Sequence, residues 1–183
     1  MTVADLGFAP ILDAIDDADA VPRLASAFAG SGAVGELIGC PSTWGGPRRA
    51  RLDAALRSVG RHAELVPRAE LIAASHADAA AETCAVVETA IVPALDGVWS
   101  VQRVARGRGG WRIERSAVLE RETGDAGALL SGSDLVVVDG PDPDALDDAV
   151  LRLAALAPGR RVCVVDRALL TRHGARGRGG PAV

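Results

Sequence analysis

The sequence predicts an α/β fold: a parallel or mixed sheet with flanking helices and one antiparallel hairpin. Three observations predict it. The valine-rich runs 134–139 (DLVVVD) and 160–166 (RRVCVVD) flank a helical stretch at about 144–157, the pattern of a parallel strand–helix–strand crossover. Residues 99–103 and 111–115 alternate, each led by a tryptophan, and the glycine-rich segment 106–110 joins them, which reads as a hairpin. The 183 residues are 49% hydrophobic and 24% charged, a globular composition with enough chain for a core.

In chain order, residues 9–30 read as two short helices, with Pro10 and Pro22 at first helical positions and Leu24, Ala27 and Phe28 at helical spacing. The acidic run Asp13, Asp16, Asp17, Asp19 reads as a solvated helix face. Residues 35–40 (GELIGC) form a short buried strand. An arginine-rich helix follows at about 47–59, with Leu52, Ala55, Leu56 and Val59 on one face and Gly60 as its stop. The spacing predicts a strand at 62–67, a helix from Ala69 to about Ala81, and a strand at 83–92. Residues 120–133 read as polar and irregular, and the chain from His173 onward as a linker or disordered tail. The expected organisation is a helical segment at 1–34, an α/β domain at 35–170 and a tail at 171–183.

Composition excludes several chemistries. All 20 basic residues are arginine, against 24 acidic ones, for a net charge of −4. Without lysine there is no Walker-type phosphate lysine and no Schiff base, and the negative balance argues against a general nucleic-acid binder. Cys40, Cys84 and Cys163 are an odd count without a CxxC pair, which fits reduced core thiols in a cytoplasmic domain and no zinc site. No apolar run reaches the ~18–20 residues of a membrane span. His62, His76 and His173 have no nucleophile at a recognisable spacing, so no catalytic residue is assigned.

Ligands of open α/β sheets collect beyond the carboxyl ends of strands. Three segments qualify: 41–46 with Ser42 and Thr43, 139–142 with Gly140, and Asp166-Arg167. Hydroxyls and glycine amides in the first can hold an anion or cap the next helix, and Asp142 or Asp144 reads as the cap of the helix that follows. Trp44, Trp99 and Trp111 are candidate interaction residues; the last two are expected to face each other across the hairpin, as packing or as an exposed anchor.

The stretch from Gly35 to Ala74, with Pro41-Ser42-Thr43-Trp44 ending a strand before an arginine-rich helix, a glycine and Leu65-Val66-Pro67, resembles a segment of the actin/Hsp70-like ATPase superfamily. Within it the chain is most similar to the degenerate type VII secretion-associated proteins of actinobacteria. The resemblance covers about residues 33–166 and implies a reduced actin/Hsp70-like (ribonuclease H-like) fold. Asp5-Leu6-Gly7 spells the family's first phosphate turn, with Asp5 as the metal-facing candidate. Departures are pronounced. Glu88-Thr89-Ala90-Ile91 stands where a second glycine-rich phosphate turn belongs, and backbone carrying Cβ atoms does not approach a phosphate closely. Arg68-Ala69 replaces a Glu-Pro pair, and Gly140-Pro141-Asp142-Pro143 replaces a glycine pair on the adenosine side.

The resemblance with these departures implies a non-catalytic scaffold or regulatory domain without a cofactor, working by contact with secretion-system proteins or by self-association. The linker-like tail from His173 predicts a chain that continues into a membrane segment and a further domain. Two alternatives stay open. One is an ATP- and magnesium-binding member using Asp5, Gly7, Ser42, Thr43 and Gly140. The other is an unrelated small α/β enzyme with its site at the strand ends.

Overall fold

The computed structural model describes residues 3–6, 14–30, 37–89, 98–119 and 125–170. The chain forms two compact units: one comprises residues up to Arg68 together with those from Arg167 onward, and the other runs from Ala69 to Asp166. Both are α/β. This division differs from the expected boundary at 34/35. Residues 3–5, assigned to a helical segment, are a strand in the first unit's sheet.

Unit 1 holds a three-stranded parallel sheet of order β1 (Val3–Asp5), β2 (Leu37–Cys40), β3 (Glu64–Pro67). Its helices are α1 (Ala20–Gly30) and α2 (Gly46–Ser58). The expected apolar face of α2 is seen: Leu52, Ala55 and Leu56 are fully buried and join Leu24, Phe28, Ile38, Cys40 and Trp44 in one core cluster. Gly60, at φ +72°, closes the helix with its amide donating to the Arg57 carbonyl, a conformation in which glycine pays no Cβ penalty. Asp16, Asp17 and Asp19 of the acidic run lie at the surface, where Asp16 pairs with Arg48 and Arg51, and Asp17 and Asp19 with Arg23; Asp13 lies outside the described residues. Ala14–Asp16 form a single 3-10 turn before α1, and the expected helix start at Pro10 lies outside the described residues.

Unit 2 is built on a five-stranded mixed sheet of order β6-β5-β4-β7-β8, where β4 is Thr83–Glu88, β5 Trp99–Gly107, β6 Gly110–Leu119, β7 Leu135–Asp139 and β8 Arg161–Val164. β4, β7 and β8 are parallel, and β5 and β6 form the antiparallel hairpin. Ala85, Val87, Val101, Val136 and Val138 pack with α4 (Asp125–Ser131) and α5 (Pro143–Leu156) in the unit's main core cluster. α4 falls in the stretch expected to be irregular: Ala126, Leu129 and Leu130 supply a helical stripe that the core buries. The remaining helix, α3 (Arg68–His76), is shorter than expected because Asp78 turns the chain by accepting from the amides of Ala80 and Ala81. α3 spans from β6, where Glu70 accepts from Arg112 at 2.8 Å, to the end of β8, where His76 Nε2 accepts from the Asp166 amide at 2.7 Å.

Cys40 and Cys84 are buried and Cys163 partly so, all three reduced. Burial pushes the Cys84 thiol up to about 12, so it is an inert core group.

Candidate functional site

In unit 1 the strand ends meet at a charged cluster. Asp5, the last residue of β1, accepts from Arg68 Nε at 2.5 Å and Nη2 at 2.9 Å, and from Arg167 Nη1 at 2.9 Å. The parallel register accounts for the meeting. Asp5 lies opposite Gly39 and Gly39 opposite Val66, so Arg68 begins two residues beyond the level of Asp5, and its long side chain crosses the end of β2 to reach it. The Arg68 side chain is 1% exposed and Asp5 14%, whereas Arg167 is half exposed. The planar fork of Arg68 matches the carboxylate bidentately, the geometry in which arginine pairs most strongly. Asp5, expected to face a metal, thus faces two guanidinium groups. Gly7 lies outside the described residues.

The 41–46 loop follows β2 in the same unit. Ser42, expected to cap α2, does not do so: the cap position is Gly45, with no side-chain hydrogen bond and a proline in the first turn. Trp44 is buried in the core cluster, and its amide donates to the Pro41 carbonyl. Thr43 is exposed at the tip of the turn. Trp44 is therefore a packing residue, not an exposed anchor.

Unit 2 has its own cluster at the carboxyl ends of its parallel strands. Glu88 pairs in register with Asp139 on one side and with Ser100 on the other, and all three are buried. Neighbouring strands lie about 4.8 Å apart, so two buried acidic residues stand in register on adjacent strands. The next residue on each strand explains Gly140. A Cβ there would collide with Thr89 Oγ1 and come within 3.2 Å of Leu146 Cδ2. The Thr89 amide donates to the Asp139 carbonyl at 2.9 Å, locking the two strand ends together. Gly140 is thus required by Thr89. Asp142 does cap α5, accepting from the Asp144 amide at 3.0 Å.

The hairpin register separates Trp99 from Trp111. Trp99 is opposite Leu119 and Trp111 opposite Arg106, so they stand at opposite ends of the ladder rather than facing each other. Each instead lies under an arginine: Arg106 at 4.8 Å from the Trp111 ring centre and Arg152 at 4.7 Å from that of Trp99. Trp111 is buried and Trp99 packs against the main core, so both serve packing.

Sequence reasoning named Asp166-Arg167 as a strand-end segment but did not bring Arg167 or Arg68 to Asp5, nor Glu88 to Asp139. The signal for Arg68 was an arginine at a position where the resemblance calls for an acid. Among the described residues, no group of three or more His, Cys, Asp or Glu side chains is arranged to hold a metal ion, and no helix is long and apolar enough to cross a membrane. No protein-family model matches the chain, and no curated protein matches it.

Proposed function

We propose that the protein is a non-catalytic scaffold or regulatory domain of the actin/Hsp70-like class that acts by protein–protein contact in association with type VII secretion. The observation that carries this reading is the Asp5 cluster. The carboxylate at the end of β1 is occupied from within by a buried arginine and a second, half-exposed one. Magnesium coordination there would require breaking a bidentate pair and leaving a buried guanidinium without its counter-charge, a costly exchange. The strand order of unit 2, an antiparallel meander β4-β5-β6 continued by parallel β7 and β8, agrees with the ribonuclease H-like arrangement that the resemblance implies. The secretion assignment is supported by the Gly35 to Ala74 stretch alone.

A second reading, a cation- or nucleotide-binding module, is favoured by the buried Glu88–Asp139 pair at the strand ends of unit 2. A thermal melt with ATP or ADP, with and without magnesium, separates the two. The first reading expects superimposable melts up to millimolar nucleotide. A ligand at ~100 times its dissociation constant stabilises by about 2.7 kcal/mol, so a magnesium-dependent rise of several degrees would overturn it in favour of the second.

A further inference from the structure

Unit 2 has two surfaces of opposite charge. The hairpin from Trp99 to Leu119 carries five arginines against one glutamate in a chain whose net charge is −4. Three of the five have structural partners. Arg106 donates to the carbonyls of Ala81 and Asp78, Arg112 pairs with Glu70, and Arg103 lies beside Glu114. Arg108 at the turn and Arg115 on β6 are exposed. Among the described strands, β6 has β5 as its only neighbour, so its outer edge is a sheet edge. The second surface is the outer face of α5 and its cap, where Asp142, Asp144, Asp147 and Asp148 are all exposed.

The α5 face also carries an apolar contact. Two of the most exposed large hydrophobic side chains are Val118 on β6, 56% exposed, and Leu151 on α5, 71% exposed. Leu151 follows Asp147 by one helical turn and shares its outward face. α5 packs over β7 and β8. β7 lies three strand spacings from β6, roughly 14 Å along the sheet, to which the helix layer adds more. That exceeds the Debye length of about 10 Å at 0.1 M salt, so neither surface neutralises the other within one molecule.

We propose that the chain binds a second copy of itself head to tail, the arginine-bearing β6 edge of one protomer meeting the aspartate face of α5 on its partner. This rests on the reading that the chain works by protein contact, and it names that partner. Charge complementarity sets the encounter and the pairing, and the exposed Leu151 adds apolar contact on the α5 side. The contact joins two different patches, so it is heterologous and leaves one unused basic surface at one end of the assembly and one unused acidic surface at the other.

Sedimentation velocity of the whole chain tests this. At about 50 mM salt the wild type is expected to contain species larger than the monomer, and association is expected to weaken at least ~10-fold by about 500 mM. Arg108→Glu with Arg115→Glu, and separately Asp147→Arg with Asp148→Arg, are each expected to be monomeric at low salt. Mixing the two variants restores the native acidic–basic contact and sets the reversed charges of one variant against those of the other, so the mixture is expected to associate although neither variant does alone. A wild type that stays monomeric to about 200 µM at low salt overturns the proposal. So does association that both variants retain, or a mixture that stays monomeric while the wild type assembles. Retention of an oligonucleotide by a monomeric wild type assigns the arginines to a different partner and also overturns it. The salt titration needs no substitution, so misfolding of a variant does not protect the proposal. A monomeric result with flat nucleotide melts removes this contact alone, whereas a nucleotide-dependent rise removes the reading beneath it.

Discussion

Substituting Asp5 by alanine isolates the energetic role of the strand-end cluster in unit 1. The Arg68 guanidinium is almost wholly buried and its two hydrogen bonds to Asp5 are 2.5 and 2.9 Å long, so solvent screening discounts the pair little. Breaking a buried pair from one side costs about 3–5 kcal/mol, because the remaining charge stays desolvated. Arg167, half exposed, adds no more than about 1 kcal/mol. At about 2–4 °C per kcal/mol for a chain of this length, Asp5→Ala lowers the Tm by roughly 6–24 °C. Circular dichroism at 222 nm, with tryptophan fluorescence to follow Trp44 in that unit's core, reads the change. The double variant Asp5→Leu, Arg68→Met removes both charges and is expected to regain most of the loss, since a buried pair exchanged for apolar groups of like size is near neutral. An Asp5→Ala protein melting within about 2 °C of the wild type would refute the claim that Arg68 depends on this carboxylate.

Two further outcomes follow from unit 2. Asp134 Oδ2 accepts from the Thr83 amide at 2.9 Å, the Thr83 hydroxyl at 2.9 Å and the Glu82 amide at 3.0 Å, and these bonds, Thr83's first, hold its carboxyl below the usual carboxylate range. The folded state favours the charged form, so the stabilisation is present above the ordinary pKa and is lost as pH falls through the lowered one. In urea melts Asp134→Ala is expected to cost about 1 kcal/mol at neutral pH, the gap from the wild type closing below about pH 4; a gap independent of pH would contradict the assignment. Gly140→Ala is expected to destabilise by about 1–3 kcal/mol through overlap with Thr89, and adding Thr89→Ala to recover most of it; an unchanged denaturation midpoint for the single variant would show that the strand ends yield freely.

Elements whose stabilising contacts are local were legible in the sequence. The Leu52–Ala55–Leu56 face, the valine run of β7 and the Asp142 cap are each written within a few residues of one another, and each stands as expected. α4 was not legible because its three core residues lie in a short polar, glycine-containing stretch, and only the sheet beneath makes the helix favourable. The tryptophan placement failed on register. A two-residue turn at Arg108–Gly109 pairs Gly107 with Gly110, and a bulge between Arg103 and Val104 shifts the pairing by one residue, which sets Trp99 opposite Leu119. The Asp5 cluster lay further from reach: its partners are 63 and 162 residues away, and no local pattern encodes such a meeting. Glu88 was read as a missing glycine when its register partner made it half of a carboxylate pair.

The chain's path through its two units also sets an order of birth. Unit 2 is one uninterrupted segment, 69–166, whereas unit 1 takes residues from both sides of it. During synthesis Arg68 reaches Asp5 while most of unit 2 is still to be made, and Arg167 arrives only after unit 2's last residue has been added. The early arginine can hold the first unit's sheet together through that interval, with the late one closing the cluster once the inserted segment is complete. Vectorial synthesis would then give unit 1's sheet a start before unit 2 is complete, whereas refolding from denaturant would close the long loop between Asp5 and Arg167 with no such head start.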